Sequence, residues 1–268
     1  MSIKAELYRI LKSSKSRIFI FLIFLVPVVD ILLNFQQNVV PHLHEEGDFS
    51  VFLYHPSEAA FLSGASHGHI TQMLLIWLMP IYILLIYGDS YIWEKSCGYT
   101  GIIFSQYSRK KIVQTKFAVS FLLFFSIIFL SLLLNFLLAN LLFMGGSDFK
   151  GMELMLAEGG LSGWWAWSLE NPFLAYFLYM ILYSILAGIF GVVCYAVCYL
   201  APSYKLAYPI CFFLWFGQIV SPYSITYAIQ PFIEYGPEYF LPALLIFFVI
   251  AFAIVVFSRW HEVRCDEY

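Results

Sequence analysis

The sequence predicts an all-α, polytopic membrane protein with six transmembrane helices and both termini in the cytoplasm. Three observations support this: the apolar composition, the number of long apolar stretches, and the side on which the basic residues fall. Hydrophobic residues make up 62% of the 268 residues and charged residues only 12%, whereas soluble domains average roughly 45–50% and 25%. A soluble fold of this size cannot hide so much apolar side chain, because buried surface levels off near ~75%. The composition therefore excludes an ordinary soluble enzyme, a disordered chain and a nucleic-acid-binding protein.

Six apolar stretches approach or exceed the roughly 20 residues that a helix needs to cross a bilayer. They cover residues 18–35, 70–87, 117–144, 173–200, 206–220 and 240–257, and they predict one transmembrane domain that occupies the whole chain, 1–268. Pro27, Pro80 and Pro209 lie inside these stretches, where a missing backbone donor is expected to kink a helix. The fifth stretch is short, and we expect the half-apolar residues 225–233 to continue it.

The basic residues set the orientation of the spans. Of the 14 Lys and Arg residues, all but Lys150 fall in the N-terminal tail, in the loop 89–116, after the fourth span or in the C-terminal tail. Short loops rich in Lys and Arg stay in the cytoplasm. The distribution therefore predicts that both tails and the loop 89–116 are cytoplasmic. It also predicts a multi-pass protein of a cell membrane, the plasma membrane of a bacterium.

Residues 1–17 are predicted to form an amphipathic helix on the inner leaflet, where it would contact membrane lipids. Ile3, Leu7, Ile10 and Leu11 share one helical face, which is the pattern of a helix lying in the membrane interface. The alternative is a positively charged flank that only orients the first span.

The loop between the first two spans holds residues that suit metal or nucleophile chemistry. Its histidines are His42, His44, His55, His67 and His69. Imidazole is a common zinc ligand, but these residues have no fixed helical spacing, so we interpret the segment as a polar loop without metal and expect its histidines to be dispensable. The sequence around Ser66 matches G-x-S-x-G, yet it precedes an apolar helix instead of forming a strand-to-helix turn. We therefore assign no catalytic residue, and an outer-face or intramembrane metallo- or serine hydrolase remains an alternative function.

Three polar residues are expected inside the spans. Asp30 lies in the outer half of the first span, and an intramembrane carboxylate is a candidate functional group; a structural role near water or headgroups is the alternative. Asn135 and Asn140 lie in the third span and are expected to hydrogen-bond between helices.

The loop 89–116 carries the most informative pattern. Glu94 is followed by Gly98, by the apolar run Ile102-Ile103-Phe104, by Ser108-Arg109 and by Lys116. This order predicts a short amphipathic helix that ends at Tyr107-Ser108, followed by a new helix that Ser108 caps and that continues into the third span. A surface helix of this kind offers a docking point to a cytoplasmic partner.

The loop resembles that of type-2 ATP-binding-cassette permeases, the six-span membrane subunits of exporters. In that family the loop carries an acidic residue, a glycine, an apolar stretch, Pro-x-Ser-Arg and a lysine that enters the third span; Glu94, Gly98, Ser108, Arg109 and Lys116 match, while Gln106 stands near the place of the family proline. The resemblance implies that the loop is a coupling helix between this chain and cytoplasmic ATPase subunits. It also implies a second permease chain, identical or homologous.

The resemblance implies an export function. ATP and Mg²⁺ would be bound by the partner ATPase, and this chain would bind no cofactor and would not itself be an enzyme; it contains no G-x-x-x-x-G-K-[ST] phosphate loop. Apolar walls suit an amphipathic or lipid-like cargo, and permeases of this type serve in antimicrobial-peptide export or immunity. A non-transporting membrane anchor or sensor that recruits an ATPase is a further alternative.

Within the loop we expect Glu94 and Arg109 to form an ion pair that joins the two ends of the surface helix. A guanidinium and a carboxylate can pair through two hydrogen bonds, which makes such a contact stronger than an exposed lysine pair. The alternative is that Arg109 only binds anionic lipid headgroups.

Overall fold

The structure is a computed structural model that describes residues 3–42, 53–64, 70–149, 163–233 and 235–266. These ranges are helical apart from turns and one isolated bridge between Tyr54 and Asp148. In chain order the helices are α1 (Ile3–Lys12), α2 (Ser14–Asn38), α3 (Pro56–Ala59), α4 (Ile70–Trp77), α5 (Met79–Ile83), α6 (Ser90–Ser96), α7 (Tyr99–Gln106), α8 (Arg109–Leu142), α9 (Trp164–Glu170), α10 (Pro172–Leu200), α11 (Tyr204–Val220), α12 (Thr226–Ile229) and α13 (Pro237–Asp266). The predicted all-α class is confirmed.

Four helices are long and apolar enough to cross a membrane: α2, α8, α10 and α13. The pair α4 and α5, with the π-helical turn Leu84–Gly88 that follows α5, makes a fifth if it counts as one span. Helix α11 has 17 residues and is therefore about 25 Å long, shorter than the ~30 Å hydrocarbon layer. Each predicted stretch thus lies in apolar helix, and the described residues support membrane-helix character with four or five spans.

The second predicted span is not one continuous helix. Its two parts meet at an angle of 58° next to Leu78, because Pro80 has no N–H for the carbonyl of Ile76, four residues earlier. The indole N–H of Trp215, on α11, donates to that carbonyl at 2.7 Å. A side chain of a neighbouring helix therefore replaces the backbone bond that the proline removes.

The same solution recurs in α2. Pro27 leaves the carbonyl of Ile23 without its helical donor, and the hydroxyl of Ser131, on α8, donates to it at 2.7 Å. Helix α2 continues through Pro27, so the prediction that Pro27 lies inside the first span is confirmed. Helix α11 also continues through Pro209.

Two other expectations are corrected at the ends of elements. The N-terminal helix ends at Lys12 instead of residue 17, since α2 begins at Ser14 with Ser13 as its N-cap. Residues 225–233 do not extend α11; a turn at residues 221–225 separates it from the four-residue α12.

Helix α10 lies at the centre of the bundle, and its largest interface is with α8. The close approach requires Gly188 and Gly191, where a Cβ atom would collide with the rings of Phe121 and Phe124. Small residues allow such backbone proximity between apolar helices. The second-largest interface of α8 is with α2, so α8 lies between α2 and α10.

Candidate functional site

The loop 89–116 is a pair of short helices set against the start of α8. Helix α6 ends at Ser96, and Gly98 turns the chain into α7 with φ of 71°, a left-handed conformation that glycine adopts without a Cβ clash. Helix α7 ends at Gln106, and α8 begins at Arg109. The predicted boundary at Tyr107-Ser108 is confirmed. Ser108 occupies the N-cap position, but its side chain makes no capping hydrogen bond, so the predicted cap is wrong in its chemistry.

The apolar run of α7 has three different environments. Ile102 is 58% exposed, whereas Ile103 is buried. Phe104 is half-buried, and the guanidinium of Arg109 lies 5.0 Å from its ring centroid, within the range of a cation–π contact. Only Ile102 of the three is therefore presented outward, next to the exposed Tyr99 one turn earlier.

Three buried charged residues and one half-buried arginine meet beneath this loop, and we call them the ion cluster: Glu6, Arg9, Glu94 and Lys116. The ammonium of Lys116 contacts Glu6 Oε2 at 3.0 Å and also contacts Glu94 Oε1. Arg9 Nη2 lies 2.8 Å from Glu6 Oε2 and 2.6 Å from Glu94 Oε1. The two carboxylates thus alternate with the two cations, and the formal charge of the cluster is zero.

The ion cluster is enclosed by protein on all but the Arg9 side, where 33% of the arginine side chain is exposed. The Lys116 side chain is 0% exposed, and its Nζ lies 5.7 Å from the centroid of the Tyr87 ring, whose hydroxyl donates to Glu6 Oε2 at 3.3 Å. Burial alone would lower the pKa of Arg9, but the carboxylates of Glu94 and Glu6 together raise it above its ordinary value. The two carboxylates therefore stabilise the charged form of Arg9.

The ion cluster corrects the predicted pair between Glu94 and Arg109. Glu94 pairs with Lys116 and Arg9, because α1 folds back across the start of α8 and brings its own charges to the loop. Sequence reasoning missed Glu6 and Arg9. One signal was present: Glu6 is the acidic residue of a tail that otherwise carries five cations, and it lies in the same helical stripe as Ile3 and Ile10, where an exposed charge would not be expected.

A second ion pair ties α2 to the same end of the bundle. Lys15 Nζ donates to Asp89 Oδ2 at 2.8 Å, and the hydroxyl of Tyr208 donates to the same oxygen at 2.8 Å. The hydroxyl of Ser16 donates to the carbonyl of Ile86 at 2.7 Å, inside the π-helical turn. We call this end, with α1, α6, α7 and the first turns of α2 and α8, the basic end.

Asp30 and Asn135 lie nearer the opposite end and bind other segments. Asp30 is completely buried and accepts from the hydroxyl of Thr71, so the expected access of water or headgroups is wrong. Asn135 donates to the carbonyl of Pro27 at 2.7 Å and accepts from the N–H of Phe61 at 2.9 Å. The predicted interhelical role of Asn135 is confirmed.

Asn140 does not join helices as predicted. Its amide donates to the carbonyl of Phe136 at 2.7 Å, one turn earlier in the same helix. Asn140 is half-buried at the end of α8.

The histidine candidates are only partly described. His44, His67 and His69 lie outside the described residues, as does Ser66. His55 accepts from the N–H of Ser57 at 3.2 Å and stacks on Phe149 at 4.6 Å; burial lowers the pKa of His55 to about 4. Within the described ranges, no three His, Cys, Asp or Glu residues are grouped as a metal site would require.

The chain is similar along its whole length to one bacterial protein. It is 36% identical over 265 residues to the uncharacterized protein YybM of Bacillus subtilis (strain 168), a match that covers 97% of this chain and 99% of that protein. No family model matches the chain, and no solved structure matches it.

Proposed function

The chain belongs to the family of YybM, and we propose that it is the membrane-spanning permease subunit of an ATP-binding-cassette exporter whose ATP is hydrolysed by a separate subunit. The proposal rests on one observation above all. The loop that would receive the ATPase is fixed by buried ion pairs to both the N-terminal helix and α8.

The ion cluster supplies a route for mechanical coupling. Glu94 belongs to α6, Glu6 to α1 and Lys116 to the second turn of the 34-residue α8. Because separating any of these groups would leave a charge unpaired in a buried place, the three helices are expected to move together. A push on α6 and α7 by the ATPase would then tilt α8. ATP binding can shift the permease from one conformation to another only if the ATPase makes different contacts with the two conformations.

We propose that the partner ATPase docks on Tyr99 and Ile102. These side chains are 40% and 58% exposed and stand one turn apart on α7. Ile102 belongs to the apolar stretch that follows Gly98 in the pattern of the resemblance. The side chains of Tyr99 and Ile102 would fill a groove in a cytoplasmic partner, as interfaces often centre on such anchors.

The topology that this function requires is six spans with both tails in the cytoplasm. For single cysteines placed on a background without the five native cysteines, we expect an impermeant thiol reagent added outside whole cells to label Ser147→Cys and to miss Gln106→Cys. Both positions are exposed, so accessibility of the side chain is matched. Labelling of position 106 with protection of position 147 would reverse the orientation and remove the proposal.

The docking prediction can be tested with a charge placed on α7. We expect Ile102→Asp to abolish co-purification of a phosphate-loop ATPase with the tagged chain from its native membrane, together with the Mg²⁺-dependent ATP hydrolysis of the eluate. Gln114→Asp is the matched control, since it adds the same charge at an exposed position of the same end. Equal retention of ATPase in the wild type and both variants would rule out this docking surface.

Two alternatives give different results in the same preparation. A non-transporting anchor or sensor would retain the ATPase but would show no ATP-driven uptake of a fluorescent cationic amphipathic peptide into inverted vesicles. If the chain were a hydrolase, the purified protein would contain stoichiometric zinc or would react with a serine-directed fluorophosphonate. We propose an amphipathic or lipid-like cargo, antimicrobial peptides included, because within the described ranges the buried charges outside the basic end are Asp30 and Glu58.

A further inference from the structure

A cleft opens at the basic end beside the ion cluster. It has a volume of about 270 Å³ and lies between the end of α1, the start of α2, the π-helical turn and α6. Its polar wall is formed by Arg9, Ser13, Lys15, Asp89 and Ser90. It is separate from the outward surface of α7, because none of its lining residues belongs to that helix.

The wall of the cleft offers more hydrogen-bond donors than acceptors. Arg9 Nη1 and Ser90 Oγ are buried, and each is without a hydrogen-bond partner among the residues that the structure describes. Lys15 donates one of its three ammonium N–H groups to Asp89. The carboxylate of Asp89 also accepts from Tyr208, so this anion is already neutralised and solvated by protein. Unused donors in a buried wall are costly unless a ligand accepts from them.

The opposite wall is apolar and ends in aromatic side chains. Ile10, Leu85 and Ile86 line it, and Trp93 and Tyr204 stand at its edge with 52% and 44% exposure. Aromatic side chains of this kind favour the depth of lipid headgroups. An occupant must therefore carry an anionic acceptor at one end and an apolar group next to it.

We propose that this cleft binds the phosphate of an anionic phospholipid from the leaflet that faces the basic end. The phosphate accepts from Arg9, Lys15 and Ser90, and the glycerol and first acyl carbons lie along Leu85 and Ile86. Guanidinium and ammonium groups are strong donors to phosphate oxygens. The five cations of the N-terminal tail concentrate anionic lipid there, but the cleft fixes one lipid between α1 and α6.

The test uses the delipidated full chain in neutral detergent. Binding of dioctanoyl-phosphatidylglycerol is measured by native mass spectrometry, with dioctanoyl-phosphatidylcholine and inorganic phosphate as the two reference ligands. We expect saturable binding of the phosphatidylglycerol, at least about fivefold weaker binding of the phosphatidylcholine, and weak competition by inorganic phosphate.

A matched pair of variants separates the cleft from diffuse attraction. Lys15→Gln and Arg17→Gln each remove one positive charge from the first turn of α2, but only Lys15 lines the cleft. We expect about fivefold weaker phosphatidylglycerol binding for Lys15→Gln and less than twofold for Arg17→Gln. Ser90→Ala, which leaves the pair between Lys15 and Asp89 intact, should weaken binding at least about threefold.

Each other result overturns the proposal. Equal losses in Lys15→Gln and Arg17→Gln would mean diffuse electrostatic binding. Phosphate that binds as tightly as phosphatidylglycerol would make free phosphate the ligand. Equal binding of the two lipids, or an unchanged Ser90→Ala, would leave the unpartnered donors of the cleft without a role in lipid recognition.

Discussion

Replacing Lys116 by Met is expected to lower the free energy of unfolding by about 3–5 kcal/mol, the cost of leaving a buried ion pair without one partner. Methionine fills a similar volume, so the loss is electrostatic. Two carboxylates, Glu6 and Glu94, would then share the single cation of Arg9 in an enclosed place. Unfolding of the purified chain by SDS in mixed micelles measures the change. The intact pairs need not stabilise the fold by this amount, because desolvation offsets much of their attraction.

The control for this experiment lies in the same helix. Lys110 is exposed, and Lys110→Met is expected to change the free energy of unfolding by less than about 0.5 kcal/mol. The double variant Lys116→Met with Glu94→Gln restores a neutral cluster and should be more stable than Lys116→Met alone by about 1 kcal/mol or more. If Lys116→Met and Lys110→Met are equally mild, the ion cluster does not exist as described.

Replacing Asn135 by Leu is expected to cost about 2–3 kcal/mol, since the N–H of Phe61 and the carbonyl of Pro27 both lose their buried partner. This side chain joins α8 to α2 and to the segment after α3, so its loss should also loosen that end of the bundle. The same SDS titration measures the free energy, and limited proteolysis reports on the segment.

Asn140→Leu is the comparison that isolates the interhelical bonds. The same chemical change at this half-buried position removes only a bond within α8, and its effect should stay below about 1 kcal/mol. Equal effects at positions 135 and 140 would show that the loss of Asn135 acts through apolar packing instead of through its two hydrogen bonds.

The helices were predictable because their signal is local. Apolar runs of membrane length indicate helix without further context. Ser108 marks the start of α8 because serine is common at the position before a helix, although its side chain makes no capping hydrogen bond. The breaks were less predictable. Pro27 and Pro80 carry the same local signal, yet α2 is one helix and the second span is bent by 58°, although a side chain of a facing helix donates to the freed carbonyl in both cases.

The partners of the candidate residues were not predictable for a related reason. Glu94 lies 22 residues from Lys116 and much farther from Arg9 along the chain, and spacing within one loop favours Arg109 as its partner. Only the return of α1 across α8 brings Arg9 and Glu6 to it. The interhelical role of Asn135 was predicted because amides in spans can hydrogen-bond to a neighbouring helix, but the same reasoning was wrong for Asn140, which bonds within its own helix.

The ion cluster also sets an order for biosynthesis. Glu6 and Lys116 are 110 residues apart, so at about 5–20 residues per second Glu6 leaves the ribosome about 5–20 seconds before Lys116 does. Until Glu94 follows, Glu6 and Arg9 have only each other as ion-pair partners in the nascent chain, and their helix has no reason to leave the membrane surface. It can take its final place only after the first residues of the third apolar helix emerge, so the earliest segment to be synthesised is among the last to dock.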